Sequence, residues 1–278
     1  MNLQLILTTM KQFLKELADD RATGLAAEQA FYYMLSLFPM AILLLSTLSY
    51  FSIDQSEVLT FIYSLLPIET ARFVEATIMS IVTDAHGGLL TFGIIGTIWS
   101  ASTGINAFIR AMNEAYNVEN SRPFWQARIL SIGLTFGLII SFLLIFLLFI
   151  FGAVLLRTIT NYFFLPSETE QLIQIVRWIA TILIMISLLS CMYYLAPNKK
   201  IRFRDVLPGA IAATVMWQIV SYGFSFYVSN FGNYSSTYGS LGAVIVLMMW
   251  LFLTGLALVT GGKVNAFILE YKKHSTLK

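Results

Sequence analysis

The stretch that decides the fold is residues 129–156, which read ILSIGLTFGLIISFLLIFLLFIFGAVLL between Arg128 and Arg157. It contains no Asp, Glu, Lys or Arg, and its apolar residues are continuous rather than alternating. A spanning helix needs about 20 apolar residues to cross the hydrocarbon core of a bilayer. The continuous pattern argues against a spanning strand, in which apolar and polar positions alternate. The stretch therefore predicts one transmembrane α-helix.

The composition of the whole chain agrees with this prediction. Hydrophobic residues make up 58% of the 278 residues, charged residues only 12%, and the mean hydropathy is +0.76. A soluble domain carries about 25% charged residues, so this composition excludes a soluble globular class. The single cysteine, Cys191, excludes a disulfide framework and a cysteine-based metal site. The net charge of +2 is too small to indicate nucleic acid as a partner.

Further uncharged gaps of spanning length occur on both sides of this stretch. They run from Glu28 to Asp54, from Asp84 to Arg110, from Arg177 to Lys199 and from Asp205 to Lys263. The last gap is broken by the polar segment 230–239, which is typical of a turn at a membrane surface. We therefore predict an all-α, polytopic protein whose 278 residues form a single integral membrane domain. The six transmembrane helices are expected near residues 30–52, 89–112, 130–156, 176–196, 206–229 and 240–268.

The basic residues predict the orientation of these helices. If the N-terminus is cytoplasmic, all of the 17 Lys and Arg residues except Arg72, Arg157 and Arg177 fall on the cytoplasmic side. Cytoplasmic loops of membrane proteins carry an excess of Lys and Arg. We expect a cytoplasmic N-terminal segment (1–28), a cytoplasmic tail (269–278) and an outer segment (53–88).

The outer segment has an amphipathic pattern over residues 56–83. Its apolar residues recur at helical spacing in two halves that Pro67 separates. Two short amphipathic helices on the outer leaflet, between spans one and two, would produce this pattern. An ordinary structured loop would satisfy it equally well.

Several short motifs are spread over nearly the whole chain. They are Ser36-Leu37-Phe38-Pro39, Trp99-Ser100-Ala101-Ser102, Arg122-Pro123-Phe124-Trp125, Leu207-Pro208-Gly209-Ala210, Thr237-Tyr238-Gly239-Ser240 and Gly261-Gly262-Lys263-Val264-Asn265-Ala266. In this order the motifs resemble those of the YihY/BrkB family of bacterial inner-membrane proteins, sometimes labelled ribonuclease BN. The resemblance implies six transmembrane helices and a location in the bacterial plasma (inner) membrane. It implies no agreed activity, since members are described as virulence or serum-resistance factors and as candidate transporters, including of envelope lipids.

One position departs from the family pattern. Lys263 stands where the compared members usually carry Glu. If that carboxylate serves proton or cation coupling, this chain lacks the step. We favour the other interpretation, in which the position lies at the cytoplasmic rim and its exchange matters little.

The ribonuclease label has little support in the residues. Metal-dependent RNA hydrolysis needs His and carboxylate ligands that converge on one or two ions. The chain has two histidines, His86 and His274, and the predicted topology places them on opposite sides of the membrane. We therefore predict that the protein is not an enzyme and uses no metal and no cofactor.

Candidate residues for a substrate pathway are the polar and helix-bending residues in or next to the spans. They are Glu28, Pro39, Ser102, Asn106, Arg110, Asn230, Asn233 and Tyr238. Arg110 would bind an anionic head group at the cytoplasmic mouth, or would simply anchor its helix at the interface. Glu28 would pair with Arg110 or a substrate cation, or would only begin its helix in water.

The remaining candidates are open to two interpretations each. Ser102 and Asn106 share a helix face and would line a cavity or bond neighbouring helices. Pro39 should kink span one, which would open a vestibule or only fit the bundle. Residues 230–239 would line a solvated opening or form a plain hairpin loop. Gly133 and Gly137 predict close helix packing in span three.

These observations favour transport or flipping of an amphiphilic, lipid-like, anionic envelope molecule, with membrane lipids as partners. Polar neutral helix faces, few buried charges and a basic inner rim would suit a head group that crosses while its tail stays in hydrocarbon. The alternative is a non-transporting scaffold that supports envelope integrity through envelope proteins. A hydrophilic cavity would favour transport, and a packed, dry bundle would favour the scaffold.

Overall fold

The computed structural model describes residues 11–13, 15–17, 21–48, 87–163, 167–231 and 240–276. Nearly all of these residues are helical, and no strand occurs among them. The helices are α1 (Ala22–Leu48), α2 (Gly87–Ala115), α3 (Phe124–Phe163), α4 (Ser167–Leu195), α5 (Phe203–Phe231) and α6 (Ser240–Thr276). The all-α fold class is confirmed.

Five of these helices are long and apolar enough to cross a membrane. The qualifying stretches are Leu90–Ala115, Phe124–Ile145, Gln174–Leu195, Phe203–Val228 and Val244–Lys273. They coincide with predicted spans two to six, so these five predictions correspond to helices of spanning length and composition. Helix α1 is not among the five, and the first span stays a prediction. The amphipathic pattern at 56–83 lies outside the described residues.

The helix ends differ from the predicted ends because helices continue beyond the apolar stretch. Helix α1 begins at Ala22 instead of near residue 30, since residues 22–29 are rich in alanine, the strongest helix former. Helix α3 contains 40 residues, which corresponds to about 60 Å at 1.5 Å per residue. That length exceeds the hydrocarbon thickness of about 30 Å, so α3 is longer than a single crossing requires.

The internal contacts divide the chain into two compact units. Unit 1 contains residues 1–23, 108–218 and 256–278, and unit 2 contains residues 24–107 and 219–255. Helices α1, α2, α5 and α6 contribute residues to both units. The single membrane domain over residues 1–278 stays a prediction.

Unit 2 is built on close approach of small residues in α1 and α2. A methyl group added to Gly93 would lie 2.9 Å from the backbone of Leu43. One added to Gly96 would lie 3.1 Å from the Cβ of Pro39. Pro39 therefore lies inside α1, where its ring packs against a position of α2 that has no side chain. The absence of a side chain at Gly96 therefore leaves room for the Pro39 ring between the two helices.

Unit 1 is built on close approach together with buried hydrogen bonds. Gly209 of α5 and Gly261 of α6 leave no room for a Cβ, because each faces backbone of the other. Pro208 lies within the first turns of α5, and the next backbone N–H, that of Gly209, donates to Oδ1 of the buried Asn265 at 2.6 Å. The Tyr193 hydroxyl donates to the carbonyl of Leu258 at 2.7 Å.

The predicted close packing in α3 is wrong. A Cβ built on Gly133 or Gly137 meets no heavy atom of another described residue within 4 Å. The spacing of two small residues permits close packing but does not require a partner helix at that place. Glycines of α2, α5 and α6 have that role instead.

Candidate functional site

A polar cavity of about 440 Å³ lies in unit 1 where α2 ends. It is lined by Arg110, Asn113, Glu114, Asn117, Val118, Glu119 and Asn120. Its volume falls in the range of about 300–1,000 Å³ that is usual for small-molecule sites. Six of these seven residues are charged or amide side chains, so the cavity suits a ligand with polar or ionic groups.

The end of α2 has the chain geometry that builds this cavity. Asn117 has a φ of 50°, the left-handed conformation that often ends a helix and that asparagine tolerates better than most residues. The N–H of Asn117 donates to the carbonyl of Glu114 at 2.9 Å, and that of Val118 donates to the carbonyl of Asn113 at 3.0 Å. These two bonds form a Schellman motif, which reverses the chain and places Glu119 beside the last turns of α2.

Asn113 is the buried polar group of the cavity, with only 3% of its surface exposed. Its Oδ1 accepts a 2.7 Å hydrogen bond from the backbone N–H of Asn198 in the loop between α4 and α5. Because a backbone N–H needs an acceptor, this bond fixes which end of the amide is oxygen. The Nδ2 group has no hydrogen-bond partner among the described residues. A buried donor of this kind calls for a ligand or solvent acceptor.

The loop that carries Asn198 is itself held in place by the loop after α2. The Asn198 side chain donates to the carbonyl of Glu119 at 3.3 Å and to the hydroxyl of Ser121. The Arg122 guanidinium donates to the carbonyls of Leu195, Ala196 and Pro197, at 3.1, 2.6 and 3.0 Å. It thereby caps α4, whose last carbonyls have no partner within the helix. Burial lowers the pKa of Arg122 from its usual value.

Tyr116 adds a second buried polar group next to the cavity. Its ring lies 5.7 Å from the Nζ of Lys199, within the range of a cation–π contact. Burial, and secondarily the carboxylate of Asp205, raises the pKa of Tyr116 well above its usual value. Because the raised pKa favours the neutral form, the phenol keeps its proton at physiological pH. Its hydroxyl has no hydrogen-bond partner within the described part of the chain.

The structure places Arg110 at this cavity, as the sequence suggested, but does not bring the other candidates there. Glu28, Pro39, Ser102 and Asn106 all belong to unit 2, whereas Arg110 belongs to unit 1. Asn230 is part of α5. Asn233 and Tyr238 lie outside the described residues.

Ser102 and Asn106, two of the candidates in unit 2, differ in the hydrogen bonding of their polar atoms. The Ser102 hydroxyl donates to the carbonyl of Trp99 at 2.9 Å, within its own helix. It therefore does not bond a neighbouring helix through this contact. The Oδ1 of Asn106 is buried and has no partner among the residues that the structure describes.

Lys263 differs from the sequence-based expectation. Its side chain is 4% exposed, and its ammonium lies 3.3 Å from a carboxylate oxygen of Glu16. A buried ion pair is sensitive to the loss of either partner. The burial does not fit a solvated position, whereas the effect of exchanging Lys263 stays a prediction.

Sequence reasoning missed Asn113, Glu119 and Asn198. Asn113 stands three residues after Arg110, and a dense run of Asn and Glu follows it up to residue 120. This run is the signal that the sequence offered, but it is equally typical of a plain turn after a helix, because asparagine favours turns. The hydrogen bond between Asn113 and Asn198 joins residues 85 positions apart in sequence, so the spacing of residues does not reveal it.

Metal-ligating residues do not cluster in the described part of the chain. No group of three or more His, Cys, Asp or Glu residues with a geometry that could hold a metal ion occurs there.

The chain matches a sequence model of the family described as Virulence factor BrkB over residues 13–278. A ribonuclease-like protein, YfkH, of Bacillus subtilis is 40% identical over 265 residues, which cover 94% of this chain and 96% of the relative. UPF0761 membrane proteins of Stenotrophomonas maltophilia and Xanthomonas campestris are 24% and 25% identical over 91% of this chain. The chain spans only 59% of the length of these two relatives. No solved structure matches the chain.

Proposed function

Because the chain belongs to the BrkB family of membrane proteins, we propose that it transports or flips an amphiphilic, lipid-like envelope molecule across the bacterial inner membrane. The molecule carries an anionic group in its head. The cavity at the end of α2 holds the head group, and the hydrocarbon tail stays in the bilayer. Both chain ends are cytoplasmic in this proposal, so the cavity opens on the cytoplasmic side.

The observation that carries the proposal is the combination of Arg110 with the amide of Asn113 in one cavity. A guanidinium offers several N–H donors in a planar fork that matches the geometry of phosphate or carboxylate. The Nδ2 of Asn113 lies buried at the same end of α2 and has no acceptor among the described residues. An anionic oxygen at the guanidinium would form a charge-assisted hydrogen bond, which is stronger than a neutral one.

A second candidate function, a membrane scaffold that acts through envelope proteins, is favoured by a different observation. Many hydroxyl groups of the spans donate to carbonyls of their own helix, as Ser131, Thr135, Ser190 and Thr214 do at 2.7–2.8 Å. Hydroxyl groups that back-bond in this way need no water or substrate to accept their hydrogen. The two functions are separated by whether the purified protein moves lipid.

The test uses the purified full chain in liposomes that contain phosphatidylglycerol labelled with a fluorophore on one acyl chain. A membrane-impermeant quencher is added outside, with a pH gradient absent or imposed. We expect protein-dependent loss of the protected inner-leaflet signal, and about a tenfold lower rate for Arg110→Gln, the effect of one charged hydrogen bond. The matched control is Arg202→Gln, which removes an exposed guanidinium and should keep the wild-type rate. Folded protein that moves no lipid under either condition would favour the scaffold.

A further inference from the structure

We propose that Lys263 of α6 binds the phosphate of an anionic lipid head group, and that the carboxylate of Glu16 occupies this position when no lipid is bound. The N-terminal residues 11–17, of which the structure describes 11–13 and 15–17, are then a strap that closes over the site. This inference goes beyond the proposed function, because it concerns α6 and the N-terminal segment and requires binding without transport.

The position of Lys263 along α6 is the first argument. The part of α6 that is long and apolar enough to cross a membrane is Val244–Lys273, and Lys263 lies 19 positions after its start. At 1.5 Å per residue this corresponds to a rise of about 29 Å. The hydrocarbon core of a bilayer is about 30 Å thick, so an ammonium at this depth is level with the phosphates of one leaflet.

The burial of Lys263 is the second argument. A lysine near the end of a span normally extends its ammonium into water, but the side chain of Lys263 is only 4% exposed. Ionisable groups within spans are costly and are typical of binding and transport sites. Stability alone does not account for this ion pair, because apolar residues of similar volume often stabilise a buried position equally well.

The two partners of the ion pair are held in different ways, which is the third argument. Lys263 is fixed in the middle of a helix, whereas Glu16 precedes α1 and its side chain is 26% exposed. Its Oε1 accepts a 3.0 Å hydrogen bond from the exposed Gln12 of the same segment, and its Oε2 lies 3.3 Å from the ammonium. The rings of Phe13 and Phe267 provide a further contact between the strap and α6, at 5.6 Å between centroids. The carboxylate is therefore the partner that can be displaced without disturbing a span.

A bend in the chain separates the strap from α1. Arg21, the residue before α1, has a φ of 53°, and the helix begins at Ala22. This left-handed conformation does not continue a helical segment into the next one. The strap is thus a separate element, and its release from α6 does not require α1 to unwind.

The strap and an anionic lipid compete for the same ammonium. A carboxylate and a phosphate both present anionic oxygens, and the three N–H groups of a lysine need such acceptors. Two anions do not share this buried position, because like charges in a poorly solvated site repel each other strongly. By thermodynamic linkage, the lipid weakens the strap contact by the same factor by which the strap weakens lipid binding.

The first experiment measures lipid binding by native mass spectrometry of the detergent-purified full chain. Glu16→Gln removes the competing charge but keeps an oxygen that can accept from Lys263. We expect this variant to bind phosphatidylglycerol about tenfold more tightly than the wild-type protein, the effect of one charged hydrogen bond. Adding Lys263→Gln should abolish the gain. The matched control, Asp205→Asn, makes the same change in net charge at the pair with Lys272, whose side chain is 60% exposed, and should leave the affinity unchanged.

Three results would overturn the inference. Equal gains for Glu16→Gln and Asp205→Asn would show that net charge alone attracts the lipid. A gain that persists after Lys263→Gln would place the lipid elsewhere. Displacement of phosphatidylglycerol by an excess of inorganic phosphate would show that the ligand is a free anion instead of a lipid.

The second experiment uses the wild-type protein and does not depend on the folding of a variant. Hydrogen exchange is measured in phosphatidylcholine nanodiscs with and without phosphatidylglycerol. Saturating phosphatidylglycerol should increase the exchange of the amides of residues 11–17, because it displaces the strap. Unchanged or slower exchange would contradict the competition. Neither experiment measures translocation, so failure of lipid transport in liposomes would reject the proposed function separately.

Discussion

Unit 1 and unit 2 are stabilised by different kinds of contact. In unit 1, residues far apart in sequence are joined by polar bonds, such as Tyr193 to Leu258, Asn198 to Asn113 and Lys263 to Glu16. In unit 2, helices approach each other at Gly93, Gly96, Gly104 and Gly255. Its helices α5 and α6 are also joined by a longer polar bond, which the Trp250 indole donates to the Ser221 hydroxyl at 3.3 Å.

This difference indicates which part of the chain carries specific recognition. Buried polar groups cost free energy unless they are satisfied, so a membrane helix bundle has little reason to keep them without a role. The candidate cavity belongs to the unit that is rich in such groups. Small residues in unit 2 provide close packing, which drives helix association in lipid but selects no ligand.

The largest effect on stability is expected at the ion pair between Lys263 and Glu16 in unit 1. Lys263→Glu would place two carboxylates together in a buried site, and the free energy of unfolding should fall by about 3–5 kcal/mol, as when a buried pair is broken. The double exchange Glu16→Lys/Lys263→Glu restores opposite charges and should recover most of the loss. Unfolding in detergent, followed by circular dichroism, measures both.

A matched control exists on the same helix. Lys272 also pairs with a carboxylate, that of Asp205 at 2.9 Å, but its side chain is 60% exposed. Lys272→Glu should therefore cost only about 0–1 kcal/mol. If Lys263→Glu and Lys272→Glu were equally mild, the buried pair would not stabilise unit 1.

Glycine substitutions test close packing in both units. Gly209→Ala in unit 1 would drive a methyl group into the backbone of α6, and overpacking of this kind costs about 1–3 kcal/mol. Gly104→Ala in unit 2 meets the ring of Tyr33 at 2.7 Å, and a side chain yields more easily than backbone. Gly133→Ala meets open space and should stabilise its helix by about 0.5–1 kcal/mol. Thermal unfolding should rank the three in this order, and any other order would contradict the packing described here.

The cap on α4 should be worth less than the ion pair. Arg122→Gln would remove three guanidinium bonds to carbonyls at the end of α4, and we expect a loss of about 1–2 kcal/mol because the group is partly exposed. Hydrogen exchange should show increased opening of residues 192–199 in the variant and not in Arg202→Gln. An unchanged exchange pattern would mean that α4 needs no cap from this loop.

The smallest effects compare one hydrogen bond in each unit. Tyr193→Phe removes a buried 2.7 Å bond in unit 1, and Ser221→Ala removes the 3.3 Å bond to Trp250 in unit 2. We expect losses of about 1 kcal/mol and about 0.5 kcal/mol, because the shorter and more deeply buried bond contributes more. Urea or SDS titration of both variants gives the comparison, and a larger loss for Ser221→Ala would reverse it.

Composition and charge spacing were sufficient to predict the helical membrane class. The uncharged stretch 129–156 and its counterparts correspond to helices whose apolar parts have spanning length, because the bilayer imposes one length on every span. Helix ends such as Ala22 and Phe163 could not be predicted in this way, since outside the hydrocarbon core local chemistry decides them. The packing of Gly133 could not be predicted either, because spacing does not identify a partner.

The candidate site was predicted only through Arg110. A charged residue next to an apolar stretch is visible in one sequence, whereas the role of Asn113 depends on a bond from Asn198 in another loop. The burial of Lys263 depends in the same way on Glu16, which lies 247 positions earlier in the chain. Contacts between distant segments arise from the fold and leave no periodic signal.

The most direct test of a head-group site at the end of α2 is photo-crosslinking in the membrane. Liposomes containing the full chain and phosphatidylglycerol with a photoreactive diazirine at the start of one acyl chain are irradiated, and the adducts are mapped by peptide mass spectrometry. We expect the adducts to be concentrated on the peptide that carries residues 110–120. They should be fewer in the Arg110→Gln variant than in the Arg202→Gln variant. Adducts spread evenly over the apolar helices, with no enrichment at residues 110–120, would contradict a head-group site at the end of α2.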